Sequence, residues 1–300
     1  MLYVLTHNIL PVFSMLALGV LLGRLGKISR AEATAVNRVA FLVLQPALIF
    51  PLINGLNWAD FRADAIGLYA GCQITLFVVS YTIAWRVLGR EPLEAWLLAM
   101  ATIFVNTLLY IWPISFLIYG ETAALPISGL VAWDSAITFA FFIVTTDLMA
   151  NRQASPAQSL RRVAGNPVLI AIVLGVLSNV LHIPPPQPLL NAMQFAGAGA
   201  SPMTLFALGV ILSGHSLVPS PTVAAMTALK LLAFPALVWA ALHLGDRPPS
   251  WNTLLVLGAA GPSGAMAFSL AMLHGVRTEN LAPVIIWTSI LSLFSLAWLA

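Results

Sequence analysis

Charged side chains are scarce in this sequence. Its 300 residues include 13 Lys or Arg and 10 Asp or Glu, which together make up 8% of the chain. A soluble domain carries roughly 25% charged residues, most of them on its water-facing surface. With 60% hydrophobic residues and a mean hydropathy of +0.95 as well, the composition excludes a soluble globular protein. It predicts a single polytopic membrane domain.

Cysteine is almost absent too. The single residue, Cys72, has no partner for a disulfide, and one thiol excludes a Cys-based zinc or iron–sulfur centre. The five histidines are scattered near the ends of apolar runs, so the sequence predicts no metal site. It also lacks a phosphate-binding loop, which argues against transport driven directly by ATP, and no cofactor is expected. The few basic residues are too dispersed for a nucleic-acid surface.

Long apolar runs, in contrast, are abundant. A helix that spans a bilayer needs about 20 mostly apolar residues, and ten such runs lie between charged or Pro/Gly-rich segments. The predicted spans are 8–23, 34–54, 64–88, 95–118, 124–148, 167–184, 190–212, 222–244, 252–273 and 280–300. The predicted fold class is therefore an all-α polytopic membrane protein with ten transmembrane helices.

The basic residues predict the orientation of these helices. If the ten spans alternate in direction, ten Lys or Arg residues fall on one side of the membrane and two on the other. The side with the excess is expected to be cytoplasmic. Both termini are therefore predicted to lie outside, on the periplasmic face of the inner membrane, and 151–165 to form a cytoplasmic loop.

An internal repeat divides the chain. Pro11 and Gly19 of the first span recur as Pro167 and Gly175 in the sixth, at an offset of 156 residues. Because five is an odd number of helices, a second five-helix copy enters the membrane from the opposite face. Such inverted repeats are typical of secondary transporters. The predicted organisation is a first repeat at 1–150, the cytoplasmic loop at 151–165 and a second, inverted repeat at 166–300.

Spans four and nine carry polar or helix-breaking residues near their centres. In span four, Asn106 lies near the expected bilayer midplane and precedes Pro113, while span nine contains Gly261-Pro262 at the corresponding place of the repeat. Two corresponding interrupted helices indicate a transporter's binding site, and the helix ends that they expose favour an anion. The alternative is a pair of ordinary proline kinks. The candidate substrate-binding residues of these spans are Asn106, Thr107, Pro113, Gly261, Pro262 and Ser263.

Asp134, Asp147 and Lys230 are ionisable residues within predicted spans, where charges are costly and usually functional. Asp134, in the middle of span five, is a candidate contact for the substrate, a proton or a cation, with a structural hydrogen-bonded carboxylate as the alternative. Lys230 in span eight is a candidate for ion or proton coupling, although its long stem could also reach the cytoplasmic interface. Asp147 is predicted to be a solvated helix end, and Gln73 a packing amide.

The string Gly261-Pro262-Ser263-Gly264 has the form of the nucleophile setting of rhomboid intramembrane proteases. A catalytic serine needs a histidine base within hydrogen-bond reach. His274 is the one histidine that follows, eleven residues on, which is about 16 Å along a helix at 1.5 Å per residue. The sequence is therefore not expected to encode an enzyme.

Short motifs recur in a fixed order along the whole chain. They are Pro11 and Gly19, Leu44-Gln45-Pro46-Ala47-Leu48-Ile49-Phe50, Asn106 with Pro113 and Tyr119-Gly120, Gly165-Asn166-Pro167, Pro202 with Leu208-Gly209, Pro235, and Ala259-Ala260-Gly261-Pro262. Their order and spacing resemble the auxin efflux carrier family. That family includes plant auxin exporters and bacterial permeases for small dicarboxylates such as malate and malonate. Without the long cytoplasmic loop of the plant exporters, this chain looks more like the bacterial members.

The resemblance implies two inverted five-helix repeats. Spans 1, 2, 6 and 7 would form a scaffold, which often dimerises, and spans 3–5 and 8–10 a transport domain in which the broken helices 4 and 9 cross. The family's binding residues correspond to Asn106, Pro113, Gly261 and Pro262, with span five contributing around Asp134.

Two departures from the family pattern concern the substrate rather than the fold. The segment Thr107-Leu108-Leu109 is bulkier than the small residues common there in the family. Gln73 stands where some plant members carry an acidic residue in span three.

These observations predict a secondary active transporter that moves a small organic anion, such as a dicarboxylate or an auxin-like carboxylate. Alternating access by an elevator-type motion is expected, in a lipid bilayer and with a homodimer through helices 1, 2, 6 and 7 as one assembly. Coupling to H⁺, Na⁺ or the membrane potential stays open. One alternative is a cation or proton exchanger on the same fold with Asp134 as the ion ligand. Another is a non-transporting membrane sensor, which normally carries a soluble output domain.

Overall fold

The computed structural model describes residues 1–150, 156–215 and 217–300. Within these ranges every regular element is a helix, and the β-type pairing is limited to one isolated antiparallel bridge between Val105 and Ser263. The predicted all-α class is therefore confirmed.

Twelve helices follow one another in the described part of the chain. They are α1 Leu2–Arg24, α2 Arg30–Asn54, α3 Ala63–Val87, α4 Pro92–Ile103, α5 Thr107–Ala150, α6 Pro156–Ala164, α7 Pro167–Val180, α8 Gln187–Leu212, α9 Pro221–Leu242, α10 Pro249–Ala259, α11 Met266–Leu273 and α12 Leu281–Leu299. A short 3₁₀ turn, Trp58–Asp60, lies between α2 and α3.

Local sequence rules explain many of the helix ends. Ser29 and Glu32 form a capping box at the start of α2. The side chains of Asn166 and Ser220 accept backbone hydrogen bonds at the starts of α7 and α9. Helices α4, α7, α9 and α10 each begin with a proline, which lacks only an N–H that would have no helical partner there.

Seven of the described helices are long and apolar enough to cross a membrane, namely α1, α2, α3, α5, α8, α9 and α12. The bent pair α6 and α7, with 64° between its helices, gives an eighth candidate. This count differs from ten because predicted spans four and nine are each divided by a break. Predicted span five is also continuous with the second part of span four. The pieces α4, α10 and α11 have 12, 11 and 8 residues, too few to cross alone.

Helix α5 is too long for a single crossing. Its 44 residues extend about 66 Å at 1.5 Å per residue, about twice the 30 Å of a hydrocarbon core. The helix is interrupted at Gly120, whose φ of +58° is accessible to glycine without strain. Residues 124–132 pack back against 107–111. Helix α5 is therefore a hairpin, with a first arm at 107–119 and a second arm at 124–150.

Two pairs of helices pack with their backbones in close contact. Helix α1 crosses α8 where Gly19 meets Gly209, and a Cβ on Gly19 would overlap the carbonyl oxygen of Phe206. Helix α7 crosses α2 at Gly175, where a Cβ would lie 3.1 Å from the carbonyl oxygen of Phe50. Small residues permit such approach between membrane helices. Gly19 and Gly175 are the glycines separated by 156 residues, so corresponding positions make corresponding contacts.

Candidate functional site

Two helical runs are broken inside the bundle. The first break, 104–106, separates α4 from α5, and the second, 260–265, separates α10 from α11. The second contains Gly261-Pro262, and a proline has no N–H to continue a helix. The first contains neither glycine nor proline. Pro113 lies beyond it in the first arm of α5, after a π-helical turn, Thr107–Ile111.

The two breaks pair with each other through their backbones. The Asn106 N–H donates to the Pro262 carbonyl at 3.0 Å, and the Gly264 N–H donates to the Phe104 carbonyl at 2.8 Å. These bonds flank the bridge between Val105 and Ser263. Non-helical backbone inside a membrane must find partners within the protein, and here each break supplies them for the other.

The crossing leaves space for glycine and little more. A Cβ on Gly261 would lie 2.5 Å from Cδ1 of Ile111 and 2.9 Å from Cγ1 of Val105. A Cβ on Gly264 would lie 2.6 Å from Cδ1 of Phe104. The two glycines therefore set how closely the broken segments approach.

A polar side chain caps the helix end before each break. Nε2 of Gln73, from α3, donates to the Ile103 carbonyl at 3.2 Å, and Nζ of Lys230, from α9, donates to the Ala259 carbonyl at 2.7 Å. The C-terminal end of a helix has free carbonyls and a partial negative charge. Ile103 and Ala259 are 156 residues apart, so the two caps occupy corresponding places.

Lys230 is completely buried. Its side chain therefore does not reach the cytoplasmic interface, which corrects one of the two interpretations that the sequence allowed. Its Nζ lies 4.8 Å from the centre of the Phe234 ring, and no carboxylate lies within 4 Å of it among the described residues. Nζ of Lys230 therefore faces the carbonyl end of α10 and the ring of Phe234.

Asp134 is held by neutral donors beside the first break. Its Oδ1 accepts from Nε2 of Gln73 and its Oδ2 from Oγ1 of Thr107, both at 2.8 Å. The side chain is buried and lies in a π-helical turn of α5, Trp133–Thr138. Gln73 in turn accepts from Nε1 of Trp133 at 2.6 Å. Gln73 is therefore more than a packing amide, because it joins the end of α4 to this carboxylate.

A cavity of about 610 Å³ opens beside the first break. Of the predicted site residues, Asn106, Thr107 and Asp134 line it, and Pro113, Gly261, Pro262, Ser263 and Lys230 do not. Its polar lining residues also include Gln45 and Thr204, joined by a long hydrogen bond of 3.4 Å between Nε2 and Oγ1. The breaks thus present one side of the crossing to open space and bury the other.

The Asn106 amide is the free polar group of this cavity nearest the crossing. Its backbone N–H pairs with Pro262 and its carbonyl accepts from Tyr110 and Ile111 at the start of α5. Its side chain makes no hydrogen bond to any described residue, although it is partly buried. An amide has two donors and an acceptor with two lone pairs, so this group is available to a ligand.

Ser263 is occupied structurally. Its Oγ donates to the Ala101 carbonyl at 2.6 Å, and its N–H donates to Oγ1 of Thr288 at 3.1 Å. His274 lies instead beside Asp147, with 2.9 Å between Nε2 and Oδ1. The arrangement that a serine protease requires is therefore not formed by Ser263 within the described residues.

Comparison with known proteins finds a matching family and several related transporters. Residues 152–299 match the sequence profile of a family described as "Membrane transport protein". A "Putative malonate transporter" of Rhizobium meliloti (strain 1021) is 29% identical over 298 residues, which cover 96% of this chain and 92% of the relative. The second half of the chain thus matches this family of membrane transport proteins, and the relative extends the similarity to nearly the whole chain. The resemblance to the auxin efflux carrier family is thereby confirmed.

More distant relatives of the transporter also align along most of its length. An "Uncharacterized transporter" of Methanothermobacter thermautotrophicus is 28% identical, with 97% of this chain and 96% of the relative covered. The "Uncharacterized transporter YfdV" of Escherichia coli (strain K12) is 24% identical, with 91% and 89% covered. The similarity therefore extends over both halves, and the transporter is a multi-pass membrane protein.

The prediction for Asp147 is wrong. The transporter buries this side chain at the end of α5, where its Oδ1 accepts from Nη1 of Arg162 at 2.8 Å and its Oδ2 from Oγ of Ser159 at 2.9 Å. Both donors lie on α6, a helix within the predicted loop 151–165. His274, after α11, completes the surroundings of the carboxylate. A solvated helix end is excluded because these three groups replace water around it.

For two residues that line the cavity, the sequence predicted a different role. Arg38 and Arg162 line the same cavity as Asn106, whereas the sequence placed them only among the charges that set orientation. Arg38 belongs to a face of α2 that repeats at helical spacing through Thr34, Phe41 and Gln45. That spacing was visible in the sequence, but only the structure shows that this face borders a cavity.

Proposed function

We propose that the protein is a secondary active carrier for a small organic anion and binds it at the crossing of the two breaks. The observation that carries this proposal is the free amide of Asn106, which lies at the crossing and faces a cavity of about 610 Å³. A cavity of this size is typical of small-molecule sites. Residues of two different helical runs meet there, so a relative motion of those runs would change access to the ligand.

The proposed architecture has ten membrane crossings in two inverted repeats, 1–150 and 166–300, joined by 151–165 on the cytoplasmic side. The corresponding contacts of Gly19 and Gly175 support it, as do the two breaks that follow Ile103 and Ala259. Broken helices in corresponding halves of a chain are a recurring feature of transporters.

The proposed orientation places both termini on the periplasmic side of the inner membrane. The excess of Lys and Arg in one set of connections supports it. Arg38 and Arg162, at the cavity, belong to that set. The cavity would then open to the cytoplasm, which corresponds to an inward-facing state of an alternating-access cycle.

The candidate residues have different roles in this proposal. Asn106 donates to a substrate carboxylate, and Thr107 with Asp134 holds the start of α5 beneath it. Gly261 and Pro262 shape the crossing, while Pro113 and Ser263 support the helices behind it. Lys230 fixes the end of α10 through its bond to the Ala259 carbonyl.

The proposed motion is of the elevator type, with α1, α2, α7 and α8 as the fixed part and as the surface for a homodimer. The close contacts of α1 with α8 and of α7 with α2 support a rigid unit. In the auxin efflux carrier family, which this chain resembles, the remaining helices form a transport domain. We expect that domain, with the crossing inside it, to move relative to the fixed part.

We propose a small dicarboxylate as substrate, with malonate as the first compound to test. The relative from Rhizobium meliloti bears that substrate in its name. The cation-exchanger alternative finds less support, because both oxygens of Asp134 already accept hydrogen bonds from protein donors. H⁺ and Na⁺ stay as candidate coupling ions.

Uptake into liposomes tests the proposal. Purified protein is reconstituted and supplied with radiolabelled malonate, malate, succinate or indole-3-acetate under imposed pH, Na⁺ or voltage gradients. We expect saturable uptake of at least one dicarboxylate that depends on one of the gradients. Gradient-dependent Na⁺ or H⁺ flux without uptake of any acid would favour the exchanger instead.

A further inference from the structure

The cavity extends well beyond the crossing, along one face of α2. Thr34, Arg38, Phe41 and Gln45 all line it, and eleven residues of helix correspond to about 16 Å at 1.5 Å per residue. Arg38 is therefore about 10 Å along the helix from Gln45. Arg38 is solvent-exposed whereas Gln45 is buried, so Arg38 lies towards the open end, the mouth of the cavity.

The mouth carries positive charge that the protein leaves available. The charged residues that line the cavity are Arg38, Arg162 and Asp134. The Asp134 carboxylate is buried and accepts from Gln73 and Thr107. Arg38 has no ion-pair or hydrogen-bond partner within the described residues. Among these lining groups, the guanidinium groups are the ones that an incoming ion meets first.

Arg162 is exchangeable rather than sequestered. Its side chain is 56% exposed although it pairs with the buried Asp147. Asp147 also accepts from Ser159 and lies 2.9 Å from Nε2 of His274, so its carboxylate keeps the Ser159 donor if the guanidinium turns to another anion. Asp147 thus holds Arg162 at the mouth without consuming all five of its N–H donors.

We propose that Arg38 and Arg162 form a recruitment site for carboxylates at the mouth of the cavity, separate from the crossing, which favours doubly over singly charged anions. This inference rests on the proposed function and specifies its charge selectivity. A guanidinium matches a carboxylate with two parallel hydrogen bonds. A cleft of one charge sign with apolar walls also focuses the field and raises the local concentration of counter-ions.

Kinetics on the cytoplasmic side test this site. The variants are Arg38→Gln, Arg162→Gln and the double variant, and the matched control is Arg161→Gln, a neighbouring arginine of α6 that does not line the cavity. The probes are malonate, with two carboxylates, and acetate, with one. We expect the double variant to raise the KM of malonate about tenfold and that of acetate less than twofold, with little change in kcat.

Two further measurements separate ligand binding from the ion pair. The malonate KM of the unaltered protein should rise with ionic strength, because salt screens exposed charges, and the double variant should lose most of that dependence. Asp147→Asn frees Arg162 but keeps its charge, so the malonate KM should not rise. A KM that rises as much in Asp147→Asn as in Arg162→Gln would overturn the role of Arg162.

Equal losses for malonate and acetate, or an unchanged malonate KM in the double variant, would overturn the recruitment site while leaving the carrier function intact. If the unaltered protein transports no carboxylate, the proposed function fails, and the site is then tested by thermal stabilisation of the detergent-solubilised protein. Stabilisation by malonate that is lost in the double variant supports the site. Absence of stabilisation in the unaltered protein overturns it.

Discussion

The first break presents a free amide to a cavity, whereas the second borders the same cavity only through Gly264 and Ala265, which carry no polar side chain. At the first, Asn106 lines the cavity and a neutral amide, Gln73, caps the preceding helix. At the second, Gly261, Pro262 and Ser263 are buried away from the cavity, and Lys230 provides the cap. The two breaks have corresponding geometry but divided roles: the first supplies a free polar side chain, and the second supplies the backbone partners that hold it in place.

The causes of the two breaks differ as well. Gly261-Pro262 prevents a continuous helix by its own chemistry. The first break contains only residues that could be helical, so its extended backbone depends on partners elsewhere in the fold. Those partners are the Pro262 carbonyl and the Gly264 N–H. The second break therefore stabilises the first.

The largest effect is expected from filling the crossing. Gly261→Leu places a side chain where a Cβ alone would lie 2.5 Å from Ile111, so the segments separate and both breaks lose their backbone pairing. We expect transport of the labelled acid to be abolished in the liposome assay. Gly71→Leu is the matched control, because a Cβ there meets no atom within 4 Å. Equal transport by the two variants would show that close approach at the crossing is unnecessary.

An intermediate effect is expected from the group that faces the cavity. Asn106→Ala removes the free amide but keeps the backbone bonds of the break, so transport should weaken at least tenfold with no loss of folded protein. Ser263→Ala is the counterpart at the second break. It removes a hydroxyl bond to Ala101, with an expected loss of about 0.5–1.5 kcal/mol in the free energy of unfolding.

Transport by Ser263→Ala should fall less than threefold, as measured beside Asn106→Ala at matched protein levels. If Ser263→Ala were the more damaging of the two for transport, the roles assigned to the two breaks would be reversed.

The smallest effect is expected from exchanging the chemistry of one cap for that of the other. Lys230→Gln supplies at the second break the amide that Gln73 supplies at the first, and Lys230→Met leaves the Ala259 carbonyl without its donor. We expect uptake about fivefold below the unaltered protein for Met and within about twofold for Gln. Equal impairment of both variants would indicate that the charge of Lys230, rather than its hydrogen bond, is required.

The sequence carries a local cause for the second break, whereas the first was expected only from Asn106, Pro113 and the correspondence of the two spans. Glycine and proline act through local backbone chemistry, so Gly261-Pro262 could be recognised directly. Asn106 was selected for its polarity and depth, but the extended backbone around it depends on α10 and α11 and has no local signal. Pro113, the obvious local candidate, lies within a helix instead.

Long-range pairing also explains the charged residues that the sequence misjudged. Asp147 resembles a solvated helix end until α6 and His274 surround it. Arg38 was counted only among the charges that set orientation, and its place at a cavity depends on how α2 packs. The apolar spans, in contrast, could be predicted because hydrophobicity is a local property, although the number of crossings stays a prediction.

The pairing of the two breaks is made by main-chain atoms, which a substitution retains wherever the new side chain fits, as it does not at Gly261 or Gly264. Selection can therefore alter the side chains around the crossing, and with them the preferred cargo, without rebuilding the junction that holds the broken helices together. In this chain, the junction is therefore a property of the backbone, and most of the side chains around it are free to vary.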